Sequence, residues 1–218
     1  MLRHPISARH LVVAALALAC AIAFVATARE VVQGGVLAMD RLIASLVPPL
    51  PPWGIEVVRD LTSLGGPGVL ILVVLLVVGY LVISRRLRSA LLVTAATITG
   101  LIVCGALKGI YDRPRPDLAV APYAGATDSF PSGHALMATV VYLTLASQVM
   151  RLLHLRRDQI CCALVALLMA GLVGASRVLL GVHHPSDVIA GWALGGVWAT
   201  ACWLAGRSLQ RRGHVEAG

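Results

Sequence analysis

The sequence predicts an all-α fold, an integral membrane bundle of six helices forming a single domain over residues 1–218. Three observations carry this. Of the residues, 58% are hydrophobic and only 13% charged, with a mean hydropathy of +0.86, whereas a soluble domain carries about 25% charge. Six stretches lack acidic and basic side chains: 11–28, 61–84, 89–107, 135–150, 160–176 and 188–206. A helix needs roughly 17–25 apolar residues to cross the hydrocarbon, and five of the six reach that length. The basic residues, finally, concentrate in alternate gaps between these stretches.

Each element can be justified in chain order. Arg3 and Arg9, the apolar run 11–28 and then Ala26-Thr27-Ala28 resemble a secretory signal with a cleavage site. Eighteen uncharged residues suffice to span, so an uncleaved anchor is expected. Residues 29–60 form the longest polar interval and are expected as an outer-face loop. Within it, 31–47 is mostly apolar with one charged pair, Asp40-Arg41, which suits a helix lying in the interface. The proline cluster at 48–52 should break any helix. A proline-motif ligand is a poor reading of that cluster, because the segment faces outward and close to lipid. Trp53 is expected at headgroup level.

Gly65-Gly66-Pro67-Gly68 reads as a turn into the second span. The third span ends at Lys108. The fourth is 16 residues long and gains length by starting at the Ser132-Gly133-His134 turn. The fifth ends at Ser176. The sixth opens at Asp187 and carries Gly191 and Gly195, a small-xxx-small pair suited to close helix packing. The five cysteines, Cys20, Cys104, Cys161, Cys162 and Cys202, lie in or beside apolar spans without metal-ligand spacing, and read as free thiols.

The net charge of +8 taken alone suggests nucleic acid, but no basic face is interleaved with aromatics. Eleven of the 18 basic residues fall in the gaps holding Arg3, Arg85, Arg151 and Arg207 and their neighbours, and seven fall on the other side. The positive-inside rule then places both termini in the cytoplasm. Counting crossings puts four helix ends on the outer face: those at Lys108, His134, Ser176 and Asp187.

Those ends carry three patches. The first runs from Lys108, the only lysine, to Arg115-Pro116. Taken alone it reads as interfacial snorkelling, though its prolines stiffen the loop. In the second, Pro131-Ser132-Gly133-His134, Ser132 can cap a helix whose free N–H groups attract an anion. Gly133 lets a phosphate approach the backbone, and His134 stands in the first turn. In the third, Ser176-Arg177 precedes His183 by six positions, and Asp187 follows four later. A carboxylate there can hold an imidazole Nδ1–H and leave the other nitrogen free; alternatively it stabilises its own helix end. Ser186 can help cap that helix. Together the patches form an inventory for holding a phosphate and attacking it with a histidine.

These three signatures, in this order, resemble those of the type 2 phosphatidic acid phosphatase family, which shares its phosphate site with vanadium haloperoxidases and bacterial acid phosphatases. The resemblance covers about residues 61–206, the signature-bearing core. It implies that His183 attacks phosphorus to form a phosphohistidine, oriented by Asp187. Lys108, Arg115 and Arg177 would hold the equatorial oxygens. Ser132 and Gly133 would add hydrogen bonds, and His134 would protonate the leaving oxygen. The spacing to Arg177 and Asp187 selects His183 over its neighbour His184. With three cations on the phosphate and no tight cluster among Asp112, Asp117, Asp128 and Asp187, neither metal nor cofactor is expected.

The implied activity is hydrolysis of a lipid phosphate at the outer face of the cytoplasmic membrane, on undecaprenyl diphosphate, phosphatidate or phosphatidylglycerol phosphate. The partners expected are that substrate and the bilayer, with no nucleic acid. Two rivals remain open. One is a lipid phosphotransferase using the same phosphohistidine, and the other is a non-catalytic lipid-phosphate binder or transporter.

Overall fold

The structure, a computed structural model, describes residues 8–33, 36–116 and 128–211. Arg3, Asp117 and Arg212 lie outside the described residues. Eight helices and no strand occur among them: α1 (Ala8–Val32), α2 (Ala38–Leu46), α3 (Pro52–Ser63), α4 (Pro67–Ile83), α5 (Leu87–Tyr111), α6 (Gly133–Val149), α7 (Arg156–Leu179) and α8 (Pro185–Arg211). Five runs are long and apolar enough to cross a membrane: Leu11–Val32, Pro52–Ile83, Leu87–Tyr111, Arg156–Leu179 and Pro185–Ser208. The short fourth stretch forms α6, a 17-residue apolar helix.

Burial explains why a short helix suffices there. α6 is the centre of the bundle and packs on α8, α7 and α5. Leu136, Ala138, Val140 and Val141 are all but inaccessible. α4 is the opposite case: Leu72, Leu75 and Leu76 are all exposed. Water would penalise such a surface, whereas lipid tails solvate it. The chain is therefore a multi-pass membrane protein.

The interval 29–60 departs from expectation. α1 runs on to Val32, and the helix expected within 31–47 occupies only Ala38–Leu46. The proline cluster ends α2, but Pro52 then starts α3 instead of breaking it. Proline is tolerated at the first helical position, where its missing N–H had no partner to lose. Residues 61–63 thus close α3, and the second span proper begins at Pro67. At the break, a side chain on Gly65 would collide with Val173 of α7.

The seam between α6 and α8 fixes the site. A Cβ on Gly191 would lie 2.8 Å from the Ser132 carbonyl oxygen, and one on Gly195 would lie 2.7 Å from Thr139 Cβ. The glycine pair thus lets the two backbones approach closely. At the top of the seam the Ser132 N–H donates to the Asp187 carbonyl at 3.0 Å, which locks the starts of both helices together.

Candidate active site

Four helix ends and two loops deliver the functional side chains. α5 presents Lys108 in its last turn and stops at Asp112, which adopts the left-handed conformation (φ 37°). The Lys108 Nζ donates to the Asp128 carbonyl at 2.6 Å and lies 3.4 Å from its carboxylate. A Cβ on Gly133 would lie 3.5 Å from Lys108 Cε. The lysine stem thus packs beside the N-terminus of α6, at ordinary van der Waals distance from that position. Arg115 donates from Nη1 to the Val182 carbonyl at 3.2 Å, tying the α5–α6 loop to the α7–α8 loop. Arg177, in the last turn of α7 and only 2% exposed, donates from Nη1 to Thr62 Oγ1 of α3 at 3.2 Å. His134, half-buried in the first turn of α6, stands in the electrostatic field of Arg177, His183, Arg115 and Lys108. All eight residues expected from the sequence meet at one end of the bundle.

The histidine–aspartate pair is less direct than its spacing suggests. His183 Nδ1 lies 3.5 Å from Asp187 Oδ2, long for a hydrogen bond. Ser129 Oγ sits 3.2 Å from the same Nδ1 and donates to Asp187 Oδ2 at 2.5 Å. A hydroxyl has one proton. With that proton committed to the carboxylate, the serine oxygen accepts from Nδ1–H, which assigns the tautomer and leaves the lone pair on Nε2. Burial pushes the His183 imidazole down to about 4; Asp187 opposes this, while Arg115 and Arg177 add to it. The ring is therefore neutral at neutral pH, as a nucleophile must be.

Asp187 is wholly buried, and a buried carboxylate needs partners. It accepts from Arg113 Nη1 at 2.5 Å and from the His184 N–H at 2.9 Å, closing the first turn of α8. Arg113 in turn reaches Asp40 of α2, Nη2 to Oδ2 at 3.0 Å, and donates to Ser186 Oγ at 2.8 Å. Asp40 also accepts from the Ser186 N–H at 2.8 Å, Ser186 Oγ at 2.7 Å and the Leu37 N–H at 3.2 Å. An arginine between two inaccessible carboxylates thus anchors α2 to the start of α8.

Two capping expectations need correction. Ser132 occupies the N-cap of α6 but makes no side-chain cap bond, and its buried Oγ has no hydrogen-bond partner. Ser186 commits its hydroxyl to Asp40, and the turn is closed by Asp187 instead. Sequence reasoning missed Arg113, Ser129 and the role of Asp40. A charged residue inside the apolar stretch 31–47 was a usable signal for Asp40. The doubled Arg-Pro of 113–116 offered two arginines, and the spacing from Lys108 selected only Arg115. A loop serine gives no signal at all. Among the described residues, no three His, Cys, Asp or Glu side chains stand together as a metal-ligand group.

Comparison with known proteins gives concordant results. The family model described as PAP2 superfamily matches residues 89–211. Phosphatidylglycerophosphatase B of Bacillus subtilis is 33% identical over 145 residues, 66% of this chain and 71% of that protein. Lipid A 1-phosphatase of Rhizobium etli is 36% identical over 117 residues, covering 50% of this chain but only 46% of that longer relative. Among solved structures, a transmembrane PAP2-type phosphatidylglycerolphosphate phosphatase from Bacillus subtilis superposes with a TM-score of 0.79 at 27% identity. That superposition covers 90% of this chain and 96% of the other.

Proposed function

The chain belongs to the PAP2 superfamily, and from that premise we propose that it is a lipid phosphatase working through a phosphohistidine on His183. The relatives matched are phosphatases, which makes the chain a phosphoric ester hydrolase. One observation carries the finer reading. Lys108, Arg115, Arg177, the N-terminus of α6 and a neutral His183 with its lone pair on Nε2 converge at one end of the bundle.

In the reaction, Lys108, Arg115 and Arg177 neutralise the equatorial oxygens as charge builds in the transition state. Ser132 and Gly133 contribute donors at the α6 terminus. Nε2 of His183 forms a bond to phosphorus as the P–O bond to the lipid breaks, and His134, brought to its protonated form by the phosphate dianion bound against it, gives that proton to the departing oxygen. The imidazolium now carries Nδ1–H into the Ser129–Asp187 relay, which stabilises its charge. Water, deprotonated by His134, then attacks phosphorus and releases phosphate, restoring both histidines. Arg113 and Asp40 act at one remove by holding Asp187 in place. The positive field comes from the protein's own cations, so the chemistry proceeds without a metal.

We place six spans in the cytoplasmic membrane, with both termini inside and the site on the outer face. The arginine bias supports this orientation. Phosphatidylglycerophosphate is the favoured substrate, because a relative matched over 71% of its length and a solved structure matched over 96% of its length carry that name. Undecaprenyl diphosphate and phosphatidate share the required chemistry. Phosphate release by purified protein across these three lipids tests the reading. The expected result is turnover of at least one, with phosphatidylglycerophosphate fastest, and no release from any of them would overturn it.

A further inference from the structure

The end of the bundle remote from His183 carries many arginines, and two of them share one pocket. Arg85, Arg88, Arg156 and Arg157 are exposed, as a charge that merely sets orientation can be. Arg86 and Arg151 are half-buried and line one pocket of about 180 Å³ between α4, α5 and α6. Ser89, Gln148 and Tyr80 complete its polar rim, and no carboxylate lines it. The Nη2 of Arg151 is buried without an acceptor, pressed so closely on α8 that a Cβ on Gly206 would lie 2.8 Å away. Arg207, stacked over Trp203 at 4.8 Å, adds a further positive charge nearby. Burial and the neighbouring Arg207 both work against the charge of Arg151.

Buried donors are ordinarily paired, and like charges drawn together out of water repel. That nitrogen faces α8, away from the pocket, but an anion in the pocket beside the rest of the Arg151 guanidinium and Arg86 would still offset the repulsion. The pocket also sits at the first turn of α5, whose N-cap, Arg86, makes no side-chain cap bond. Free N–H groups at such a terminus favour an anion. The floor is apolar: Val77, Leu81 and Leu145 line it, backed by the buried Ala90 and Val93. A free phosphate has no use for that floor, whereas a phospholipid can lay its glycerol and chains on it.

We propose that this pocket binds the phosphate of an anionic membrane phospholipid through Arg86 and Arg151, with the acyl chains running down the seam between α4 and α6. Basic pockets between spanning helices are a known means of holding lipid headgroups. The site is separate from the catalytic centre and stands whatever lipid is hydrolysed there.

Native mass spectrometry of the full-length protein in neutral detergent provides the test, with phosphatidylglycerol, phosphatidylcholine and inorganic phosphate as probes. The wild type should retain phosphatidylglycerol well above phosphatidylcholine. A hydrogen bond to a charged group contributes enough that Arg151→Gln and Arg86→Gln should each weaken phosphatidylglycerol binding about tenfold. Arg156→Gln, on the exposed surface, should leave it unchanged, and release of phosphate from a soluble ester should be normal in all three variants. Arg86→Gln alters a half-exposed side chain and guards against a folding defect in the other variant. The proposal fails if neither pocket variant loses affinity, if Arg156→Gln loses as much, or if phosphatidylcholine binds equally. Equally strong retention of inorganic phosphate would also overturn it, as the mark of a free-anion site.

Discussion

At the scale of single residues, the serine between His183 and Asp187 changes what each variant should do. His183→Ala removes the attacking nitrogen and should abolish both phosphate release and phosphoenzyme, while His184→Ala keeps substantial activity. Ser129→Ala leaves Nδ1–H facing the carboxylate at long range, and a net hydrogen bond contributes about 0.5–1.5 kcal/mol, so the loss should be up to about tenfold. Protonation of His183 is expected near pH 4, well below the 6.5 of a free imidazole. Because the shift is downward, the ring stays neutral and active as pH falls through 6 and is lost only near 4. Histidine ¹³C–¹H spectra, with His183→Ala as the assignment blank, check this; a midpoint at 6 or above would contradict it.

His134 is separable by leaving group. General acid help is typically worth ~10²–10⁴-fold, so His134→Ala should lose that much on a lipid monophosphate and far less on nitrophenyl phosphate, whose leaving oxygen needs no proton. Equal losses on both would assign it to phosphate binding. The signature residues were legible because phosphate chemistry demands particular side chains at particular spacings. Ser129 was not, since a hydroxyl acquires this role only when the chain brings it against His183.

At the scale of elements, α2 is the unexpected contributor. It lies outside the matched family segment, yet Asp40 shares Arg113 with Asp187. Removing one partner of a buried ion pair costs about 3–5 kcal/mol. Arg113→Ala, which strands two carboxylates, should therefore lower thermal stability sharply in detergent. Asp40→Asn keeps the shape and half the acceptors. Its expected signature is a fall in kcat of about tenfold with KM retained, as a hydrogen bond to a charged group is worth about 1.5–3 kcal/mol. A drop in stability with unchanged kcat per folded molecule would reduce Asp40 to scaffolding. The long apolar elements were legible from composition alone, because lipid selects residue type over some twenty positions. The boundaries in 29–60 were not: Pro52 either stops or starts a helix, and only packing decides which.

At the scale of the whole molecule, two predictions follow from charge. The arginine bias predicts that cysteines placed at Arg86 and Arg156 resist external labelling while one beside Asp128 is labelled; the reverse pattern would invert the orientation. The cation triad predicts that EDTA leaves turnover largely intact and that vanadate, able to adopt the five-coordinate geometry of the transferring phosphate, inhibits. Loss of activity to chelation, restored by magnesium, would refute the metal-free account.

The bond between Asp40 and Ser186 spans 146 residues of chain. At ordinary synthesis rates the ribosome needs about 7–30 s to cover that distance. Arg113, the ionic partner of Asp40, follows it by 73 residues, and the pair then waits for Ser186 and Asp187 to complete the network. On the proposed mechanism, a polypeptide that stops before α8 lacks the Asp187 that holds His183, and so cannot turn over lipid phosphates during its own insertion.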